Sequence, residues 1–403
     1  MDWANPAVRP GLGIYGRQQH RANTGFIGML KGSLLSERQQ EIYYYVLFVM
    51  CFSIAWFIDR PGQQSYFLAD RVRMHFLAPS FRPDLADALV DHDYERLVAW
   101  GDINSVEELW GWMEGPLLAA TYDEDTPRSG VGNVLGYAGL ANGMRVRQVR
   151  VKPQPCKNMP EWARLATTQE GGFNGTCYPT LGMWNEDTSS FGPTAASSTR
   201  FSWEKSSEWA MPTTTIFGRY SEHGFLFDMP SFNKSRARDI VRTHRKDLFL
   251  DLQTRAVFID ATFFHPSMER FVTMRLLAEV PESGGVETSS HFIATRVNSY
   301  PGILGMVQLF IEAVFVVQLC GFVFMEMMKV RKVGILYIKQ FWGMVILTQG
   351  VLLLFLIGFR VTTFQALMRQ NQEWNVADPN EYIDMQVCVW MCECVCVHKA
   401  ERG

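Results

Sequence analysis

An excess of charge of either sign is missing from this chain. Its 38 lysines and arginines nearly balance 41 aspartates and glutamates, leaving a formal net charge of -3. No basic stripe with interleaved aromatics appears, so nucleic acid is not an expected partner. Histidine is scarce: His223, His265 and His291 are scattered and carry no metal-ligand spacing. A Gly-rich phosphate loop, a nucleophile elbow and a zinc-type HExxH helix are all lacking. The chain therefore reads as a non-enzyme without a cofactor or metal. Cysteine is sparse as well, with eight in 403 residues, which excludes a small disulfide-built scaffold. Even the bulk hydrophobicity is unremarkable. A mean hydropathy of -0.05 and 47% hydrophobic residues fit a soluble chain.

What is present is an uneven distribution. Three apolar runs stand out: Ile42 to Ile58, Ile303 to Met328 and Ile335 to Phe359. A bilayer core takes about 20 apolar residues, with a range of roughly 17 to 25. We read spans at 42–58, 301–328 and 335–359, so membrane lipid is an expected partner. Tyr43, Tyr44, Tyr45 and Trp56 suit an interfacial aromatic belt. The first run is too long for a signal h-region, and no small-residue cleavage site precedes Asp59 and Arg60. The third holds one charge, Lys339, placed to snorkel. The second holds Glu312 and Glu326. Roughly 240 residues separate the first two runs, far too many for a loop, so a folded domain is inserted there.

Basic residues set the orientation. Arg9, Arg17, Arg21, Lys31 and Arg38 precede the first run, and Lys329, Arg331 and Lys332 lie between the second and third. Both segments favour the cytosol. The expected plan is a cytosolic tail at 1–41, an extracytosolic domain at 59–300, and an extracytosolic tail at 360–403. Asn174-Gly175-Thr176 and Asn233-Lys234-Ser235 are glycosylation sequons, consistent with that address. Cys156 and Cys177 are the two cysteines of the domain. In an oxidising compartment an isolated pair reads as a disulfide, with two separate buried thiols as the alternative. Closing a loop of about twenty residues contributes roughly 3 kcal/mol in the chain-entropy model.

Within the domain, Gln64 to His75, Asp84 to Asp93 and Ser105 to Leu118 read as helices. Ser105 and Glu108 make a capping box. Thr121 to Gly143 reads as a Gly-rich loop. Met144 to Lys152 alternates apolar with Arg and Gln, the pattern of a half-buried strand. Pro153 to Trp209 reads as irregular. Ile216 to Tyr220 and Phe225 to Asp228 read as a hairpin turning at Glu222-His223-Gly224. Ser231 to Leu248 reads as a basic amphipathic helix. Thr254 to Thr262, Arg270 to Val280 and Phe292 to Val297 read as strands. Helices first and strands later predict an α+β domain, helices on an antiparallel sheet.

The most specific stretch is Thr254-Arg255-Ala256-Val257-Phe258-Ile259-Asp260, followed by Arg275-Leu276-Leu277-Ala278-Glu279-Val280-Pro281 and Gly284-Gly285. These residues resemble the polycystin family of transient-receptor-potential channels, whose domain between the first two spans carries a similar strand pair. The resemblance extends to the strand at Arg145 to Val151, the cysteine pair after it, the aromatic helix around Trp110, and Phe341-Trp342. It covers roughly Arg38 to Gln386, and the polycystin-2-like branch fits best because only a short tail precedes the unit. The resemblance implies a subunit of a tetrameric, non-selective, calcium-permeable cation channel. Its partners would be other polycystin subunits, as a homo- or hetero-tetramer, in ciliary or plasma membrane or endoplasmic reticulum. The luminal domain would make ring contacts above the pore.

The sequence also departs from that family. Spans four to six, a pore loop, an EF-hand and a coiled coil have no counterpart here. Gly343-Met344-Val345 follows the Phe-Trp pair where the family often has Asp. The expectation is a channel subunit truncated after its third span and non-conducting alone. The alternative is a membrane-anchored ligand-binding protein or a dominant-negative assembly partner. The tail from Val387 to Val397 alternates Val and Cys. It reads as translated GT-repeat DNA, with a soft-metal site on one strand face as the other option. Glu312 would pair with a basic residue of a fourth span or help hold a cation; a structural polar contact is the plainer reading. Asp260, Arg255 and Glu279 read as structural anchors of the sheet or of subunit contacts.

Overall fold

The computed structural model describes residues 43, 46–54, 63–83, 97–122, 133–156, 175–182, 184–192, 200–205, 212–296, 302–334, 341–374 and 382. The helix expected at Asp84 to Asp93, the sequon residue Asn174 and the Val/Cys tail lie outside these residues. So does the whole 1–41 tail.

The first described element with defined bounds is helix α1, Gln63–Leu77, close to the expected limits. Ser105 caps α2, Val106–Trp112, by accepting from the Glu108 amide at 3.1 Å. The Glu108 carboxylate returns to the Asn104 amide at 2.7 Å, one residue before the box position. A π turn follows at Met113–Leu117, and Pro116 within it has no N–H to offer the helix ladder. The short α3, Leu118–Thr121, completes the stretch.

The expected Gly-rich loop instead contains two short strands, β1 at Asn133–Val134 and β2 at Ala138–Leu140. They pair with each other across a tight turn in which Leu135 and Gly136 both have positive φ. Then come β3, Met144–Arg150, β4, Gln154–Pro155, β5, Thr176–Cys177, and β6, Trp203–Glu204. The stretch read as irregular therefore holds three short strands. β7, Thr213–Thr214, pairs with β8, Arg219–Tyr220. β9 runs Gly224–Met229 and pairs with β3 and β6. The expected hairpin between Tyr220 and Phe225 does not form. Its two halves pair with other strands because Gly224 lets β9 pass tightly under β3. A Cβ built there would lie 2.4 Å from the Gln148 carbonyl oxygen.

The basic helix is α4, Lys234–Lys246, with His244, Arg245 and Lys246 in its last turn, where cations suit the dipole. The long strands follow: β10, Thr254–His265, β11, Arg270–Glu279, and β12, Glu287–Arg296. β10 and β11 pair along ten residues, from Ala256 with Glu279 to His265 with Arg270. The main sheet has eight strands, all pairs antiparallel, with β12, β11 and β10 on one side and β3, β9 and β6 on the other. One face packs under α1 to α4 in a continuous core. There Phe76 meets Phe263 at 5.3 Å and Trp100 meets Trp112 at 4.5 Å between ring centroids. This is the α+β domain expected.

Two long helices complete the description: α5, Gly302–Val333, and α6, Phe341–Trp374. Residues 46–54 are helical, and Phe48 and Phe52 lie 5.2 and 5.8 Å from the Phe315 ring of α5. Among the described residues one segment, Gly305–Lys332, is long and apolar enough to cross a membrane; Gly343–Phe355 is apolar but shorter. The polarity of α5 is inverted relative to a soluble helix. Gln308, Gln318 and Glu326 are buried, while Phe310, Val317 and Phe324 are 62–71% exposed.

Candidate functional site

The motif residues converge on the second face of the sheet. Successive strand residues alternate faces, so Ala256, Phe258 and Asp260 of β10 share a face with Arg275, Leu277 and Glu279 of β11. Arg145, Arg147 and Val149 of β3 sit opposite Asp260, Phe258 and Ala256 and join that face. Four of these positions, Asp260, Arg275, Glu279 and Arg147, are buried charges, which is affordable only with partners.

Arg275 is the centre. Its Nε donates to Asp260 Oδ1 at 2.8 Å and its Nη2 to Oδ2 at 3.1 Å. Its Nη1 and Nη2 donate to the Glu222 carboxylate at 2.8 and 2.9 Å. Arg147 Nη2 reaches the same carboxylate at 3.1 Å, and the Thr213 hydroxyl donates to it at 3.0 Å. Both guanidinium groups lie near the Phe258 ring, Arg147 at 3.9 Å and Arg275 at 5.4 Å. Burial pushes Arg275 towards losing its proton, but Asp260 and Glu222 outweigh it and hold it well above the ordinary arginine range. Burial likewise pushes the Glu222 carboxyl up, and Arg147 and Arg275 together hold it below its ordinary value. The layer is thus charged on both sides and bonded throughout.

Smaller sets flank it. Glu279 accepts from the Tyr220 hydroxyl at 2.8 Å and from Thr215. Burial, then Glu279, pushes the Tyr220 phenol far above its ordinary range. Arg255 donates to the carbonyls of Pro179 at 3.1 Å and Thr254 at 2.8 Å, and to that of Tyr178. Thr254 accepts from Gln148 at 2.6 Å. Val257 enters the helix-side core, while Ala256 and Phe258 form a second small cluster with Leu277. Pro281 opens a turn closed by the Gly284 amide at 3.1 Å. Arg145 makes two 2.7 Å bonds to Asp228 and lies 4.8 Å over the Tyr382 ring.

Arg150 behaves differently. It lies 3.5 Å over Phe191 and 2.9 Å from Asp251. Yet burial pulls Arg150 down and pushes Asp251 up, each outweighing the pairing. Arg150 is also 3.9 Å from Asp187 and donates to Gln253.

The strand Met144–Arg150 was expected to be half-buried; it is buried on both faces. Its arginines meet carboxylates brought by β9 and by the turn before it, and those partners lie far away in sequence. Glu222, Arg147 and Thr213 were not singled out from sequence. Arginine alternating with valine over Met144 to Lys152 is the sequence signal, and by itself it predicts only a half-buried strand. Asp260, Arg255 and Glu279 are each hydrogen-bonded within the domain, to Arg275, Pro179 and Tyr220 respectively.

The Cys156 and Cys177 sulfurs are bonded, with Cα atoms 5.1 Å apart, and the bond fastens the β4–β5 ribbon. Asn233 is exposed, caps α4 at positive φ, and accepts from the Arg236 amide at 3.0 Å. That bond uses the side-chain oxygen and not the nitrogen that a glycan would join. Glu312 is half-buried in α5 and accepts from Gln308 at 3.0 Å. Among the described residues no group of three His, Cys, Asp or Glu is placed to hold a metal. The site is an ionic clasp within a sheet.

This clasp on a strand pair between two apolar segments agrees with the sequence comparisons. Residues 99–297 match the model of the polycystin domain. The chain carries a polycystin domain. It is 28% identical to polycystin-2-like protein 2 of Mus musculus over 338 residues, which is 81% of this chain and 49% of the relative. It is 27% identical to the Homo sapiens protein of that name over 278 residues, 67% of this chain and 42% of the relative. Polycystin-2 of Caenorhabditis elegans is 23% identical over 267 residues, 66% of this chain and 35% of the relative. The chain spans about half or less of the length of these relatives.

Proposed function

We propose that this chain belongs to a subunit of a polycystin-2-like, non-selective and calcium-permeable cation channel. In this reading the polycystin domain lies outside the cytosol, between a first span at 42–58 and a second span built on α5. Its task is to hold subunits together, in a homo-tetramer or with other polycystin subunits. The observation that carries the reading is the domain itself: the β10–β11 pair with its buried clasp, matched over 99–297. The inverted polarity of α5 supports a lipid-facing helix. The Cys156–Cys177 bond supports an oxidising compartment, the extracellular side or the endoplasmic reticulum lumen. Ciliary or plasma membrane would be the working site, and Asn174 and Asn233 would carry glycans. The basic residues around Lys329 to Lys332 support a cytosolic address for that connection.

Two differently tagged copies of the full chain, co-expressed and solubilised in mild detergent, test the assembly role. Each tag should recover the other. Copies that never co-purify, while remaining folded by their disulfide and their melting transition, would refute it. Resistance to sodium carbonate extraction tests the spans separately.

A further inference from the structure

One end of the main sheet carries buried positive charge that no carboxylate among the described residues balances. Arg270 opens β11 and Arg296 closes β12, and the two are direct cross-strand partners. His265 closes β10 and is the partner of Arg270 on its other side. Directly opposed residues share a face, so the three basic side chains form one row. Arg270 is 7% exposed, and its one recorded hydrogen bond among the described residues goes to the Ser65 hydroxyl. Burial, then the neighbouring Arg296, pulls its proton affinity down. The His265 Nδ1 is also buried without a hydrogen-bond partner. Arg275 on the same strand shows the contrast, with two carboxylates bonded to it. Arg296 is partly exposed and opens the row to the outside.

The row lies where the domain joins the apolar segments. Residues 297–301 alone separate Arg296 from α5, and residues 59–62 alone separate the first apolar run from α1. Linkers that short reach at most about 20 Å. Helix α1 lies across this end of the sheet. Ser65 in its first turn touches Arg270 on β11, and Phe76 in its last packs on Phe263 of β10. Its outward side exposes Tyr66 at 71% and Phe67 at 59%, together with Arg71 and Arg73. Asp70 is its one acidic residue. Aromatic and basic side chains on one exposed helix side suit the headgroup layer of a membrane.

We propose that this end of the domain is a phospholipid-binding foot. Helix α1 rests on the outer leaflet with Tyr66 and Phe67 among the headgroups, and Arg270 and Arg296 hold one headgroup phosphate. A phosphate supplies the charge-assisted acceptor that Arg270 lacks among the described residues. The inference rests on the flanking segments crossing the bilayer, which carbonate extraction tests by itself.

The experiment is native mass spectrometry of the full chain in neutral detergent with three probes. These are dioctanoyl phosphatidylglycerol, dioctanoylglycerol and inorganic phosphate. Arg296→Gln is the first variant, since it sits at a strand end, with an unchanged melting transition as its folding control. The wild-type chain should retain phosphatidylglycerol, and Arg296→Gln should weaken that binding about tenfold, equivalent to about 1.4 kcal/mol. Equal retention of dioctanoylglycerol, equal binding of inorganic phosphate, or affinity unmoved by Arg296→Gln would each overturn the proposal. An independent readout needs no variant: a phospholipid with a photoreactive group beside its phosphate should label α1 and the His265–Arg270 turn. Labelling confined to α5 and α6 would overturn it, as would displacement of the label by a second copy of the chain.

Discussion

Replacing Arg275 with Met tests the reading of the buried clasp. The guanidinium gives four hydrogen bonds to Asp260 and Glu222, and all three side chains are less than a tenth exposed. Methionine fills much of the volume but leaves the Asp260 carboxylate buried without its cation. Glu222 keeps only Arg147 and Thr213. Removing one partner of a buried ion pair costs about 3–5 kcal/mol. For a domain of this size each kcal/mol lowers the melting midpoint by about 2–4 °C, so the loss is about 6–20 °C. Tryptophan fluorescence of the full chain in detergent reads it, since Trp100 and Trp112 are buried in the same core. Adding Asp260→Leu to Arg275→Met should recover part of the loss, because it removes the buried carboxylate that Arg275 neutralised. A midpoint within a degree of wild type, or a double variant worse than the sum of the singles, would refute the argument.

Acid should loosen the same clasp. Glu222 has a folded pKa below its ordinary value, so its contribution is complete above about pH 4.3 and is lost as pH falls through the lowered value. Melting scans of Glu222→Gln should show that part of the acid dependence removed; an unchanged profile would count against it. Cys156→Ser should destabilise the domain by roughly 3 kcal/mol in the chain-entropy model, and urea titration measures it. Unchanged midpoints would mean the bond does not constrain the chain. Gly224→Ala should disrupt folding by about 3 kcal/mol or more, since the added carbon would meet the Gln148 carbonyl, and poor yield with loss of the cooperative transition is the readout. Glycosidase treatment of membrane-expressed chain should increase gel mobility, and Asn233→Gln should abolish one step; absence of any shift would contradict the orientation.

Local signals carried much of the fold. The strands β10 and β11 are legible as such in the sequence, and the Ser105 box marks the start of α2. The cysteine pair was legible because its members are close in sequence and isolated in the domain. The main misreadings came from distance. The burial of Arg147 was not legible because nothing in β3 says that Glu222 will be brought under it by β9 and its turn. The expected hairpin at Glu222-His223-Gly224 failed for the same reason: β8 and β9 each found a better partner outside the local run. The strands Asn133–Val134 and Ala138–Leu140 escaped because two or three residues carry too little periodicity to see. Arg270 and Arg296 could not be recognised as one row before the register of β11 and β12 was known.

The central claim is that this polycystin domain assembles subunits at a membrane. The mass of the detergent-solubilised full chain, measured particle by particle with mass photometry, tests it most directly. The account predicts a population of four copies, alone or with polycystin partners, that dissociates when the domain is unfolded by Gly224→Ala. A single-copy mass for protein whose disulfide and melting transition are intact would contradict it.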